Sequence, residues 1–145
     1  MPTASVFTPG NASNTNENTK DYIAYCFHSV PSYSSVGIYE GNGSSGADAP
    51  FIFLGFKPEF FLIKNIDATE GWEVWDGTRE PYNKLSKKIS PNTTDQEYTA
   101  NTTTYAIDFL SNGVKLRTNY SAVNAANTFM YYSVAKSPFK TSNAR

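Results

Sequence analysis

The chain has 145 residues, which is enough for one domain with a single hydrophobic core. Only 17% of the residues are charged and the net charge is -1, so the basic face of a nucleic-acid-binding protein is missing. No apolar stretch is long enough to cross a membrane, and we predict no membrane insertion. Because Asn, Ser and Thr supply most of the polarity alongside 10 Tyr and 10 Phe, the composition favours strands over helices.

Residues 1–20 are predicted to form an extended N-terminal arm. Pro2, Pro9 and Gly10 interrupt regular structure, and an Asn-rich run follows them. Val6 and Phe7 are the apolar side chains of this arm that can dock, so we expect them to attach it to a partner. Residues 21–145 are predicted to form the folded domain.

Residues 21–30 are predicted to be the first strand. Both of its alternating faces are apolar, which indicates a central strand, and Pro31 ends it. Cys26 and His28 lie within it, so we expect a buried thiol and a packed imidazole. Since Cys26 is the one cysteine, no intramolecular disulfide can form.

Further strands are predicted at residues 36–40, 50–55, 59–66, 71–76 and 128–136. A hairpin of 105–110 and 114–117 is predicted around Asn112-Gly113, which suits a tight primed turn. Residues 60–63 are apolar on both faces and should be deeply buried, whereas 77–102 read as a long excursion without regular structure. No segment has a helical pattern. The first and last strands resemble each other and are expected to lie side by side in an all-β antiparallel β-sandwich or jelly roll.

Catalysis is not expected. His28 is the one histidine, so a nucleophilic triad would have to use it, and a packed imidazole is favoured within a strand. The chain lacks the cluster of Cys and His that zinc needs, and no cofactor motif is present. A polysaccharide-degrading enzyme is the minor alternative, since Glu73 and Asp76 lie between aromatic residues. Their odd spacing, however, places them on opposite faces of a regular strand.

Ligand binding is predicted in one aromatic and polar segment. Flat aromatic rings beside hydrogen-bonding groups suit the C–H faces and hydroxyl rims of sugars. The candidate glycan-binding residues are Trp72, Trp75, Asp76, Arg79, Tyr82 and Asn83. The alternatives are core packing for one tryptophan and an exposed ion pair for Asp76 and Arg79. Lys84, Lys87 and Lys88 are interpreted as a solvated loop.

An ordered series of motifs resembles a domain that recurs in bacteriophage tail-fibre and other virion proteins, notably those of marine phages. The series covers about residues 20–145, and its members are Tyr-Ile-Ala-Tyr-Cys-Phe (22–27), Gly-Ile-Tyr-Glu-Gly-Asn-Gly (37–43), Gly-Phe-Lys-Pro-Glu-Phe (55–60), the segment 72–79 with Asn83, Ile-Asp-Phe-Leu-Ser-Asn-Gly-Val-Lys-Leu-Arg (107–117) and Pro-Phe-Lys-Thr-Ser-Asn-Ala-Arg (138–145). The resemblance implies a concanavalin A-like, lectin-type β-sandwich on the virion surface. It supplies no established ligand residues.

The expected function is therefore that of a non-enzymatic virion structural protein, of the tail-fibre or of the head-fibre and decoration type. It would attach to host surface carbohydrate or to neighbouring virion proteins; a capsid cement protein with a purely structural role is the alternative. Fibre proteins are often threefold, because three packed sheets bury aromatic faces that a monomer exposes, and we therefore expect a homotrimer.

Overall fold

A computed structural model describes residue 3, residues 5–99 and residues 104–139. The regular structure of the described residues is almost entirely antiparallel β-strand, which confirms the predicted all-β class. Two single helical turns are present, α1 (Ser13–Asn16) and α2 (Ser121–Asn124). The strands are β1 (Ser34–Glu40), β2 (Phe51–Phe53), β3 (Pro58–Asn65), β4 (Trp72–Asp76), β5 (Lys87–Lys88), β6 (Tyr98–Thr99), β7 (Ile107–Leu110), β8 (Gly113–Leu116) and β9 (Thr128–Ala135).

The strands form two main antiparallel sheets. A four-stranded sheet has the order β1-β9-β3-β4, and a three-stranded sheet has the order β2-β8-β7. β5 and β6 pair separately as a short ribbon. The last strand, β9, lies inside the larger sheet as predicted, with β1 on one side and β3 on the other.

The core lies between the inner faces of the two sheets. Alternation along each strand sends every second side chain inward, and most of these residues are apolar. The four-stranded sheet contributes Tyr39, Phe61, Ile63, Trp75, Phe129 and Tyr131, and the three-stranded sheet contributes Ile52, Ile107, Phe109, Val114 and Leu116. Residues 60–63 are less deeply placed than predicted, since Phe60 and Leu62 point to the other face and are only half-buried.

The predicted central strand at residues 21–30 is wrong. Residues 21–29 have no strand structure, and Val30 forms only an isolated bridge with Ser34. β1 and β3 occupy both backbone edges of β9, so no edge of β9 remains for a further strand. As a result Cys26 and His28 are exposed rather than packed.

The extended arm is longer than predicted. Residues 5–29 are exposed along their whole length, so the arm continues beyond residue 20. Val6 and Phe7 are 62% and 54% exposed. Residues 1, 2 and 4 of the predicted arm lie outside the described residues.

The predicted hairpin is present, but its turn differs. Leu110 pairs directly with Gly113, so the two loop residues are Ser111 and Asn112 rather than Asn112 and Gly113. A primed turn needs positive φ, and among the described residues none of these three has it. The prediction of a primed Asn-Gly turn is therefore wrong.

The excursion at 77–102 is more ordered than predicted over its described part. It contains β5 and β6, and it bridges both main sheets through Val74–Ile89 and Leu85–Ile107. Residues 100–102 lie outside the described residues.

Candidate functional site

The predicted glycan-binding residues do not form one surface. Trp75 is fully buried in the core, where its indole Nε1 donates a hydrogen bond to the Tyr105 carbonyl at 3.1 Å. Trp72 lies on the opposite face of the same strand and is half-buried. Strand alternation fixes this separation, so the inclusion of Trp75 in a surface site is corrected.

The polar side chains of the predicted site form ion pairs and hydrogen bonds within the protein. Arg79 lies between two carboxylates: its Nε is 3.4 Å from Asp76 Oδ2, and Nη1 hydrogen-bonds to Glu97. This is the Asp76–Arg79 ion pair predicted from the sequence as the alternative to ligand binding, and Glu97 adds a second carboxylate to it. Asp76 also accepts a hydrogen bond from the Thr78 amide at 2.8 Å.

Asn83 has a structural role in the hairpin. Its amide Nδ2 donates to the Phe109 carbonyl at 3.1 Å, and its Oδ1 accepts from the Phe109 amide at 2.9 Å. The side chain thus makes with Phe109 the pair of hydrogen bonds that the backbone of a neighbouring strand would make. Tyr82 is 82% exposed and lines, with Asn83, a small cavity of about 160 Å³.

Glu73 and Asp76 do not converge. Glu73 is 2% exposed and points inward, whereas Asp76 is on the outer side of β4. Glu73 is held by Lys88, whose Nζ is 2.7 Å from Oε2, and by the Ser90 hydroxyl at 2.9 Å. This arrangement removes the basis for the polysaccharide-degrading alternative built on these two residues.

Lys88 is not part of a solvated loop, and that interpretation is wrong for this residue. The side chain is 2% exposed, and Nζ lies over the rings of three tyrosines. The distances from Nζ to the ring centroids are 4.2 Å for Tyr98, 4.7 Å for Tyr105 and 5.3 Å for Tyr120. Cation–π attraction and the Glu73 carboxylate together compensate the loss of hydration.

A larger cavity, missed at the sequence level, opens beside a second ion pair. Its volume is about 770 Å³, and it is lined by Ser45, Gly46, Lys84, Thr104, Ala106, Asp108, Arg117, Asn119 and Tyr120. Asp108 Oδ2 accepts a hydrogen bond from Arg117 Nε at 2.6 Å. Among the described residues, Asp108 Oδ1 is the one buried side-chain oxygen or nitrogen without a hydrogen-bond partner. We call this site the Asp108 cavity.

Burial also changes one titratable group at the edge of this cavity. It raises the pKa of Tyr120 to about 12, with the Glu73 carboxylate contributing in the same direction. The Tyr120 hydroxyl is therefore neutral at physiological pH, and it can both donate and accept hydrogen bonds.

A second unusual surface is the outward face of the four-stranded sheet. The residues on this side are largely apolar although the second sheet does not cover them. We define the outer apolar face as Val36, Ile38, Phe60, Leu62, Val74, Met130, Tyr132 and Val134. Ile38 is 67% exposed.

The arm contacts this face at only one end. The ring of Phe27 lies 4.4 Å from that of Tyr132. Further towards the N-terminus, Tyr25 and Ile23 are 80% and 82% exposed. An apolar arm and an apolar sheet face thus lie next to each other, and neither is fully covered.

No metal site or membrane span is apparent in the part of the chain that the structure describes. No group of three or more His, Cys, Asp or Glu side chains in residues 5–99 and 104–139 is arranged to hold a metal ion. No described helix is both long and apolar enough to cross a bilayer.

The two-sheet architecture and these two surfaces define an all-β module. Residues 1–138 match the model of a family described as a domain of unknown function, DUF7483, and the chain belongs to that family. No curated protein and no solved structure matches the chain.

Proposed function

We propose that the chain is a non-enzymatic structural protein on the exterior of a bacteriophage particle, where it assembles through its arm and its outer apolar face. The virion part of the proposal is supported by the motif series that resembles tail-fibre and virion surface domains. A tail-fibre, head-fibre or capsid-decoration position is compatible with this assembly surface.

The observation that carries the assembly is the exposed apolar arm beside a sheet face that is only partly covered. Tyr22, Ile23, Tyr25 and Phe27 project from a segment that has no strand partner. Burying a large apolar side chain is worth about 1.5–3 kcal/mol, so leaving several exposed disfavours an isolated chain in water. Strand-like sequence without a partner is also a common means of joining neighbouring subunits.

A second copy of the chain is the partner that best fits this surface. One copy carries both the donor segment and the acceptor face, so an arm that crosses to a neighbour satisfies both. Because the arm and the face are different patches, copies that pass their arms in one direction form a closed ring or an open filament, whereas two copies that exchange arms form a dimer. We propose a homotrimer as this ring, with other virion proteins contacting Val6 and Phe7.

Sedimentation or light scattering over a wide dilution series tests the assembly. We expect a trimeric mass for the full chain and a monomeric mass for the double variant Ile23→Asp/Tyr25→Asp. The matched control Asn11→Asp/Asn18→Asp adds the same charge to the arm without removing apolar side chains, and it should remain trimeric. A monomeric wild-type chain at all concentrations would refute the proposal.

Incorporation into particles tests the virion role. Deleting residues 1–20 should abolish incorporation of the protein into virions while leaving the sandwich folded. Normal incorporation of the truncated chain would contradict attachment through the arm.

A further inference from the structure

The Asp108 cavity lies on the outward side of the three-stranded sheet, far in the sequence from the arm. In β7 the core positions are taken by Ile107 and Phe109, so alternation turns the side chain of Asp108 away from the core. The side chain nevertheless remains only 7% exposed. The sequence thus places a carboxylate in a nearly dry position at the wall of an open cavity.

The hydrogen bonding of this carboxylate is incomplete. An ionised carboxylate offers about four acceptor sites, and within the described residues Asp108 uses one, for Arg117 Nε. A buried oxygen without a partner costs about 1–3 kcal/mol. Oδ1 has almost no accessible surface in this rotamer. A donor in the cavity would therefore supply the missing hydrogen bond only with a turn of the carboxylate about its soft χ2 torsion.

The charges around the cavity favour an anion at a second point. Lys84 and Arg117 supply two positive charges against the single negative charge of Asp108. Arg117 engages Asp108 through Nε alone and is one-third exposed, so its Nη groups face no acceptor among the described residues. A guanidinium edge of this kind matches a carboxylate with two parallel hydrogen bonds.

Neutral groups complete the lining. Asn119 and the Tyr120 hydroxyl can donate and accept hydrogen bonds, while the half-buried Tyr120 ring offers apolar surface. The volume of about 770 Å³ is within the range of small-molecule sites, about 300–1,000 Å³.

A ligand for this cavity must therefore donate at one end, accept as an anion at the other, and present C–H surface between them. Inorganic phosphate can donate through a protonated oxygen and accept as an anion, but it offers no C–H surface, and the Asp108 carboxylate repels its charge. A neutral sugar meets only the first and third. We infer that the Asp108 cavity binds an acidic saccharide, with the sugar carboxylate on Arg117 and Lys84 and a sugar hydroxyl donating to Asp108.

This inference adds host-carbohydrate binding to the proposed structural role, at a position different from the predicted Trp72–Asn83 region. It does not rest on assembly. The monomeric Ile23→Asp/Tyr25→Asp variant should keep its saccharide affinity, so failure of the assembly proposal and failure of this inference are distinguishable.

Titration of the full chain with a glucuronic acid disaccharide, followed by amide chemical shifts and calorimetry, tests the inference. Binding should shift the amides of residues 106–108 and 117–120, and glucose and inorganic phosphate should bind at least about tenfold more weakly. Arg117→Lys should weaken uronate binding about tenfold because the paired contact is lost.

Two further variants keep the test decisive if Arg117→Lys does not fold. Lys84→Gln, at an exposed position, should weaken uronate binding about fivefold, whereas the control Lys87→Gln removes one charge outside the cavity and should leave it unchanged. Asp108→Asn should reduce the preference for uronate over phosphate, because the repelling charge is removed. Equal binding of phosphate and uronate to the wild-type chain would overturn the inference. Uronate affinity that does not change in Lys84→Gln would overturn it too.

Discussion

The two faces of the four-stranded sheet have similar apolar character but different surroundings. The inner face carries Phe61, Trp75 and Phe129, all fully buried against the second sheet. The outer face carries Ile38 and Tyr132, where the main described cover is the ring of Phe27. The difference shows that the fold of one chain fully buries only the inner face of this sheet, and it supports the proposed assembly as the source of further cover for the outer face.

The first prediction separates the two faces on one strand. Trp75→Ala should lower the free energy of unfolding by about 3–5 kcal/mol, because it leaves a cavity in the core. Trp72→Ala, on the other side of β4, should cost only about 1 kcal/mol, since that ring is half-buried. Urea unfolding of both variants checks the contrast, and equal losses would mean that both faces are covered alike.

The second prediction concerns the buried ion pair between Glu73, on the inner side of β4, and Lys88. Lys88→Met should cost about 3 kcal/mol, because it leaves the Glu73 carboxylate buried without its charge partner. We expect the low end of the usual range, since the Ser90 hydroxyl still donates to Glu73. The double variant Lys88→Met/Glu73→Gln should recover part of the loss. A single variant as stable as wild type would show that the pair is solvated.

The third prediction uses pH to probe the inner face. Burial raises the pKa of Tyr39 far above its ordinary value of 10.0. Above pH 10 the unfolded chain loses this proton while the folded chain keeps it, so Tyr39 alone should lower the free energy of unfolding by about 1.4 kcal/mol per pH unit. Tyr120, with its pKa raised to about 12, should add to this decline up to about that pH.

Tyr39→Phe supplies the control for this slope. It should reduce the alkaline slope by about 1.4 kcal/mol per pH unit and leave the part due to Tyr120. The variant should cost about 1 kcal/mol near neutral pH for the lost hydrogen bond to the Val123 carbonyl. An unchanged slope in the variant would assign the decline to other tyrosines.

The smallest effect is expected at the outer face. Ile38→Ser should change the unfolding free energy of a single chain by no more than about 0.5 kcal/mol, because the side chain is already 67% exposed. The same variant should weaken self-association measurably in sedimentation. A large loss of stability in dilute solution would mean that Ile38 is covered within its own chain.

Much of the fold follows from alternation in the sequence. The period of two correctly separates Trp75 from Trp72 and Glu73 from Asp76, and it predicts the β7–β8 hairpin. It fails at residues 21–30, because an apolar pattern indicates that a segment tends to be buried but does not indicate which part of the protein, or which chain, buries it. There the pattern indicated a central strand, whereas the structure has an exposed arm.

The candidate sites were harder to predict from the sequence than the fold. Lys88 resembles a surface lysine because Glu73 and the tyrosines around it are distant along the chain. For Asp108 the sequence contains one usable signal, which is a carboxylate between core residues of an apolar strand. Its partner Arg117 becomes apparent only from the hairpin register. No local pattern distinguishes such a pair from ordinary surface charge.

Cys26 offers the most direct measurement of the central claim, that the arm covers the outer apolar face of a neighbouring copy. It is the single cysteine and lies exposed in the arm, so a photoactivatable cross-linker can be attached there without any substitution. Unlabelled and nitrogen-15-labelled chains would be mixed, irradiated and digested. The account predicts mixed-isotope cross-links from Cys26 to peptides of β1 and β9. Cross-links found only within single chains would contradict it.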